Sequence, residues 1–166
     1  MPIKINVHQI RENKSGQVAG RFTLRPEELE LTSPKGVWHP LTFDFTCTNA
    51  GDLYVLEGRL ESSTSQQCSR CLAPVEVPLA ASVLAQFSPY QHQESEDCCF
   101  FRGDELDITE VLRENAILAL PVKPLCSPDC KGLCPQCGTD LNQGQCQCKP
   151  KAVDPRLAAL AKLISK

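Results

Sequence analysis

Twenty-three residues, Cys126 to Cys148, hold six of the chain's eleven cysteines, in the order C-S-P-D-C-K-G-L-C-P-Q-C-G-T-D-L-N-Q-G-Q-C-Q-C. Within them, Cys134-Pro135-Gln136-Cys137-Gly138 is a tight knuckle. Two thiolates separated by two residues can reach one zinc ion at about 2.3 Å each, and four such ligands complete its tetrahedron. Cys146 and Cys148 supply the second pair beyond a short loop, so C-x2-C…C-x-C reads as a short zinc ribbon. An odd total of eleven cysteines argues against a fully paired disulfide framework.

A second knuckle lies far upstream at Cys68-Ser69-Arg70-Cys71. A thioredoxin-like reading of it needs a βαβ context that the surrounding text lacks. Cys126 and Cys130 are left over in the tail, which gives two sets of four: Cys68, Cys71, Cys126 and Cys130, then Cys134, Cys137, Cys146 and Cys148. Two zinc ions are therefore expected, the first tying the tail to the body. The rival arrangement is one site in the tail, with Cys126 and Cys130 competing for it. Cys47, Cys98 and Cys99 would be free thiols.

With 42% hydrophobic residues the 166-residue chain can bury a sizeable core, enough for one domain and a small module. Residues 1–120 carry 10 Lys/Arg against 17 Asp/Glu, whereas residues 121–166 carry 7 against 3. An acidic body thus bears a basic, cysteine-rich tail. Polar residues break every apolar run in M-P-I-K-I-N-V-H-Q-I, so it does not read as a signal peptide. No apolar stretch reaches the roughly 20 residues of a membrane span. A cytoplasmic protein with no membrane partner is expected, or an organellar one if a transit peptide has been removed, and clustered thiols in a reducing compartment are more often metal ligands than disulfides.

Along the chain, Ile3, Ile5 and Val7 alternate as in a strand, and 13–20 reads as a turn-rich break. Residues 26–32 read as a short helical turn or a loop. Leu41, Phe43 and Phe45 alternate with polar residues, Asn49-Ala50-Gly51-Asp52 forms a hairpin connection, and 53–61 returns. Residues 75–87 form a strand in which Pro78 marks an edge or bulge. Residues 88–106 are polar, acidic text with little to bury, apart from a brief strand at 98–101. A helix is expected over 107–120, with Asp107 as N-cap and Glu110 completing a capping box. Asp154-Pro155 opens a short amphipathic helix over 154–166. The expected fold is α+β: a mostly antiparallel sheet body over 1–120, a zinc-binding module over 121–153 and the terminal helix.

No catalytic constellation accompanies these elements. The three histidines, His8, His39 and His92, are scattered. His92-Gln93-Glu94 spells the H-x-E of zinc deaminases, but Leu133, not proline, precedes Cys134. A closed four-thiolate site is structural, so neither an enzyme nor a small-molecule substrate is expected. Arg70, Lys131, Lys149 and Lys151 flank the thiols and are candidate phosphate contacts for RNA.

Three stretches then line up: C-S-R-C-L at 68–72, I-T-E-V-L-R-E-N-A-I-L-A-L-P at 108–121, and the cysteine block, followed by D-P-R-L-A-A-L-A-K-L at 154–163. Together they resemble the YceD-like family, the large ribosomal RNA subunit accumulation proteins of bacteria and plastids. The resemblance is weakest before about residue 40. It implies a non-catalytic ribosome biogenesis role in accumulation or processing of the large-subunit ribosomal RNA precursor, with that RNA or assembly factors as partners. The alternatives are a zinc-stabilised protein-interaction adaptor without RNA contact and a thiol redox sensor.

Overall fold

The computed structural model describes residues 2–31, 36–90 and 98–148. The expected terminal helix, Lys149, Lys151 and the His92-Gln93-Glu94 triplet lie outside them. In chain order the elements are β1 (Lys4–Asn6), α1 (His8–Arg11), β2 (Gln17–Leu24), a 3-10 turn (Pro26–Leu29), β3 (Gly36–Trp38), β4 (Leu41–Asn49), β5 (Tyr54–Gln67), β6 (Pro74–Ser88), β7 (Cys98–Phe100), β8 (Glu105–Asp107) and α2 (Thr109–Leu118).

The sheet is built on a long hairpin. β5 and β6 pair antiparallel from Tyr54↔Phe87 to Gln67↔Pro74 in one unbroken register. Pro78 falls opposite Ser63 with no bulge. It is tolerated because β7, the next strand, pairs only with Gln86–Ser88 and leaves the rest of β6 as an edge. The strand order is β2-β4-β5-β6-β7, and β3 extends the β4 side of β5. Every pairing is antiparallel except β6 with β7. Asn49 secures the β4–β5 turn: its buried amide donates to the Ile10 and Arg11 carbonyls at 2.7 and 3.1 Å, while its Oδ1 accepts the Gly51 N–H at 2.8 Å.

Period-two alternation puts one face of this sheet inside. Leu41, Phe43 and Cys47 of β4, Leu56 and Leu60 of β5, and Leu79, Val83 and Phe87 of β6 are buried in one cluster. Ile5 and Leu106, from the separate β1–β8 ribbon, and Leu112 and Ala116 of α2 belong to the same cluster. The opposite face is polar and laced with pairs such as Arg21–Asp44 and Arg59–Glu61. A second, smaller cluster forms around Cys68, Cys71 and Cys130, with Ala73, Leu125 and Leu133 against it.

Several sequence expectations are corrected. Residues 17–20 belong to β2, where Gly20 leaves room for the Phe45 ring, 3.0 Å from where a Cβ would sit. The strand read as ending at residue 61 continues to Gln67, because β3 and β6 flank its far half. Stretch 88–106 carries its expected brief strand as β7 and, beyond that expectation, the start of β8. Asp107 lies in β8 opposite Lys4 and not at the N-cap; its Oδ1 accepts the Thr109 N–H at 3.0 Å and the Thr109 hydroxyl at 2.6 Å. The helix therefore begins at Thr109, after an Ile108 N-cap without a side-chain cap.

Candidate metal centre

The tip of the β5–β6 hairpin is the Cys68–Cys71 knuckle. Cys68 N–H donates to the Ala73 carbonyl and Leu72 N–H to the Cys68 carbonyl, at 2.8 and 3.0 Å. Leu72 sits at φ 62°, a left-handed turn that leads the chain away from the second thiol into β6. The tail then docks on this tip through its backbone. Ser69 N–H donates to the Pro124 carbonyl at 2.8 Å, and Leu133 N–H to the Arg70 carbonyl at 3.1 Å. Gly132, at φ 76°, passes so near that a Cβ there would lie 3.0 Å from the Arg70 carbonyl oxygen.

The result is a tetrad. The sulfurs of Cys68, Cys71, Cys126 and Cys130 all lie within 4.8 Å of one another. Cys71 Sγ is 3.5 Å from Cys126 Sγ, and Cys68 Sγ is 3.9 Å from Cys130 Sγ. A disulfide needs about 2.05 Å. A tetrahedral ion with four sulfurs at 2.3 Å sets them roughly 3.8 Å apart. The spacing fits a shared ion.

The second tetrad is Cys134, Cys137, Cys146 and Cys148, again within 4.8 Å of one another. Its knuckle closes through Gly138 N–H to the Cys134 carbonyl at 2.9 Å and Cys134 N–H to the Thr139 carbonyl at 2.8 Å. Gly138 takes φ 74°, the left-handed position where glycine is favoured. The first tetrad is the more enclosed: Cys68, Cys71 and Cys130 are buried, whereas Cys137 and Cys148 are exposed.

Hydrogen bonding holds one thiol of the first tetrad down, Cys68, and two of the second, Cys134 and Cys137. The backbone N–H of Cys71, then that of Arg70, hold the Cys68 thiol down to about 6, while its bond to Cys71 pushes Cys126 up to about 12. The Thr139 hydroxyl foremost holds Cys137 down to about 6, and Cys137 pushes Cys148 up to about 12. Four adjacent thiolates repel one another, so full deprotonation calls for a cation, and binding one releases protons. Burial alone pushes Cys47 up to about 11, as suits an inert core thiol.

Arg70 and Lys131 stand beside the first tetrad. Arg70 is exposed, yet its Nη1 donates to the Cys130 carbonyl at 2.7 Å and the Pro128 carbonyl at 3.2 Å, which turns it onto the tail. The exposed Lys131 gives its backbone N–H to Asn142 Oδ1 at 2.8 Å. Asn142 was not singled out by the sequence, although its Nδ2 reaches Cys130 Sγ at 3.4 Å and so ties the loop between Cys137 and Cys146 to the first tetrad. Its only cue was its place in the D-L-N loop between the paired cysteines.

These features define a mostly antiparallel sheet protein whose hairpin tip and tail share one tetrad of thiols while the tail carries another. Residues 56–164 match the family described as large ribosomal RNA subunit accumulation protein YceD. The chain belongs to that family. The matched span starts within β5 and takes in the hairpin tip, α2 and both tetrads.

Relatives are distant. An uncharacterized protein of Mycobacterium bovis is 26% identical over 129 residues, 75% of this chain and 62% of its own length. The uncharacterized protein YlbN of Bacillus subtilis is 37% identical over 101 residues, 58% of each. The chloroplastic large ribosomal RNA subunit accumulation protein YCED homolog 1 of Zea mays is 28% identical over 131 residues, 59% of this chain and 45% of its own. The chain thus spans between 45% and 62% of the length of these three relatives. No solved structure matches it. Among the described residues, no helix is long and apolar enough to cross a membrane.

Proposed function

We propose that this chain is a non-catalytic ribosome biogenesis factor that promotes accumulation or processing of large-subunit ribosomal RNA and is held in shape by two zinc ions. Membership of the YceD family is the observation that carries this reading. Zinc suits two all-thiolate tetrads whose sulfurs lie within 4.8 Å of one another, with spacings of 3.5 and 3.9 Å in the first. Bound there, zinc would supply structural cross-linking alone, since four thiols fill its tetrahedron and leave no position for substrate. Cys68, Cys71, Cys126 and Cys130 would fasten the tail to the sheet; Cys134, Cys137, Cys146 and Cys148 would shape the ribbon. The 1–120 body, the 121–153 module and the 154–166 segment would act as one cytoplasmic factor. Its partners would be the RNA precursor or assembly proteins, with Lys131, Lys149 and Lys151 as phosphate contacts.

Arg70 is assigned a positioning role by its two carbonyl contacts. Arg70→Ala is expected to weaken metal retention by about tenfold, within the usual range for groups that hold a ligand in place. Competition with a chromophoric chelator measures it, and Arg70→Lys should restore part of it, because one nitrogen makes both carbonyl contacts and an ammonium can also donate twice from one atom.

The functional reading is tested by recovering RNA and protein with the tagged full chain from cells. Enrichment of large-subunit precursor RNA over small-subunit RNA is expected. Assembly proteins recovered without RNA would overturn it in favour of an adaptor.

A further inference from the structure

The β5–β6 hairpin has two ends, and the thiols occupy only one. At the other, roughly 40 Å away along a strand of this length, Tyr54 opens β5 and Ser88 closes β6. A cleft of about 410 Å³ lies there, lined among others by Arg11, Tyr54, Tyr90, Phe101 and Arg102. Ligand sites commonly have such volumes. We infer that this cleft binds a nucleotide unit of single-stranded RNA, the base between Tyr90 and Arg102 and the phosphate at Arg11 and Arg102. The inference deepens the ribosomal reading and rests on it.

The cleft is built and held. Its floor is the Tyr54–Phe101 pair, two buried rings meeting edge to face at 5.3 Å. Asp104 pins one wall, accepting Arg11 Nη1 at 2.7 Å and meeting His8 Nδ1 at 3.0 Å. The Asn49 amide fixes both the Arg11 carbonyl and Gly51 N–H. Gly51 and Gly103 line the opening at φ 97° and 79°, and nothing lies within 4 Å of where a Cβ would stand. Bare backbone therefore lets a ligand approach closely.

The rim supplies recognition. Tyr90, a large ring at the rim of the cleft, is 58% exposed. Arg102 places its guanidinium over the Phe100 ring, 5.5 Å from the centroid. The Arg102 side chain is exposed at this rim and can stack on a base there. Single strands are read this way, by splayed bases on aromatic rings and arginine planes with cations along the backbone. A paired base keeps its faces inside the helix and cannot enter. The body has 10 cationic residues against 17 acidic over 1–120, so general attraction does not bring a polyanion here. Arg102 does so locally, beside an Arg11 that shares its charge with Asp104.

The test uses the full chain and a fluorescein-labelled single-stranded RNA oligonucleotide, with its duplex and AMP as competitors. The wild type should bind the single strand at least about tenfold more tightly than the duplex, and Tyr90→Ala with Arg102→Ala should lose about tenfold or more. Arg59→Ala, which removes an equal charge from the polar sheet face, should change affinity less than about twofold. Melting temperature should not move, because both altered side chains are exposed. No binding by the wild type, undiminished binding by the double variant, or equal binding of duplex overturns the inference. AMP competing at the oligonucleotide's own concentration overturns the polymer in favour of a free nucleotide. The two failures separate. A double variant that binds RNA normally removes only this site, whereas a wild type that recovers no large-subunit RNA from cells removes the ribosomal role.

Discussion

Cys68→Ser is expected to lower the zinc content of the purified chain from two ions to one. Cys68 is fully buried in the small cluster at the hairpin tip, and three other sulfurs surround it. A serine hydroxyl in its place is a poor ligand, and three remaining thiols facing one another no longer hold the tail. The large core shares none of these cysteines, so the sheet should stay folded. Circular dichroism should accordingly keep its strand signal while limited proteolysis cuts the tail free near residues 121–125. Cys146→Ser should also lose one zinc but leave the tail docked, because the contacts of Ser69, Arg70 and Leu133 do not involve it. Elemental analysis decides. One zinc in the wild type would mean a single shared site, and none would remove the metal reading.

Phe43→Ala should be among the costliest changes in the sheet, about 3–5 kcal/mol and on the order of 10 °C in melting temperature. The ring is fully buried, stacks with Phe45 at 5.8 Å, and lies over Gly58 of the neighbouring strand. A Cβ on Gly58 would come within 2.4 Å of it. Gly58→Ala should therefore destabilise the wild type and cost less in the Phe43→Ala background, the remainder coming from the Asp44 carbonyl oxygen, 2.6 Å from the same Cβ position. Thermal melts of the two single variants and the double variant give this coupling; additive costs would show that Gly58 is kept for another reason.

The parts that proved legible were governed by local rules. Ile3, Ile5 and Val7 are all buried, as their alternation requires, and Pro78 does lie on an edge. Grouping the cysteines by spacing picked out the same two sets of four that the fold draws together. What stayed hidden depended on distant partners. β8 is three residues long and exists because Lys4–Asn6 comes back to it from the far end of the chain. Asp107 satisfies the local rule for an N-cap, yet this same pairing draws it into a strand. The parallel turn of β7 onto β6 leaves no periodic trace in three residues. Arg70 was visible as a charge between two ligand candidates. Its grip on Cys130 and Pro128 required knowing that residues 58–60 positions downstream fold back beside it.

The unequal sequence spans of the two tetrads carry a consequence for the order of assembly. The tail tetrad closes a loop from Cys134 to Cys148, whereas Cys71 and Cys126 are 55 positions apart. Loop-closure entropy grows with separation, and the hairpin tip does not exist until β5 and β6 have paired. The ribbon can thus mature early and alone. The clasp joins last, so its closure reports that the sheet has already formed.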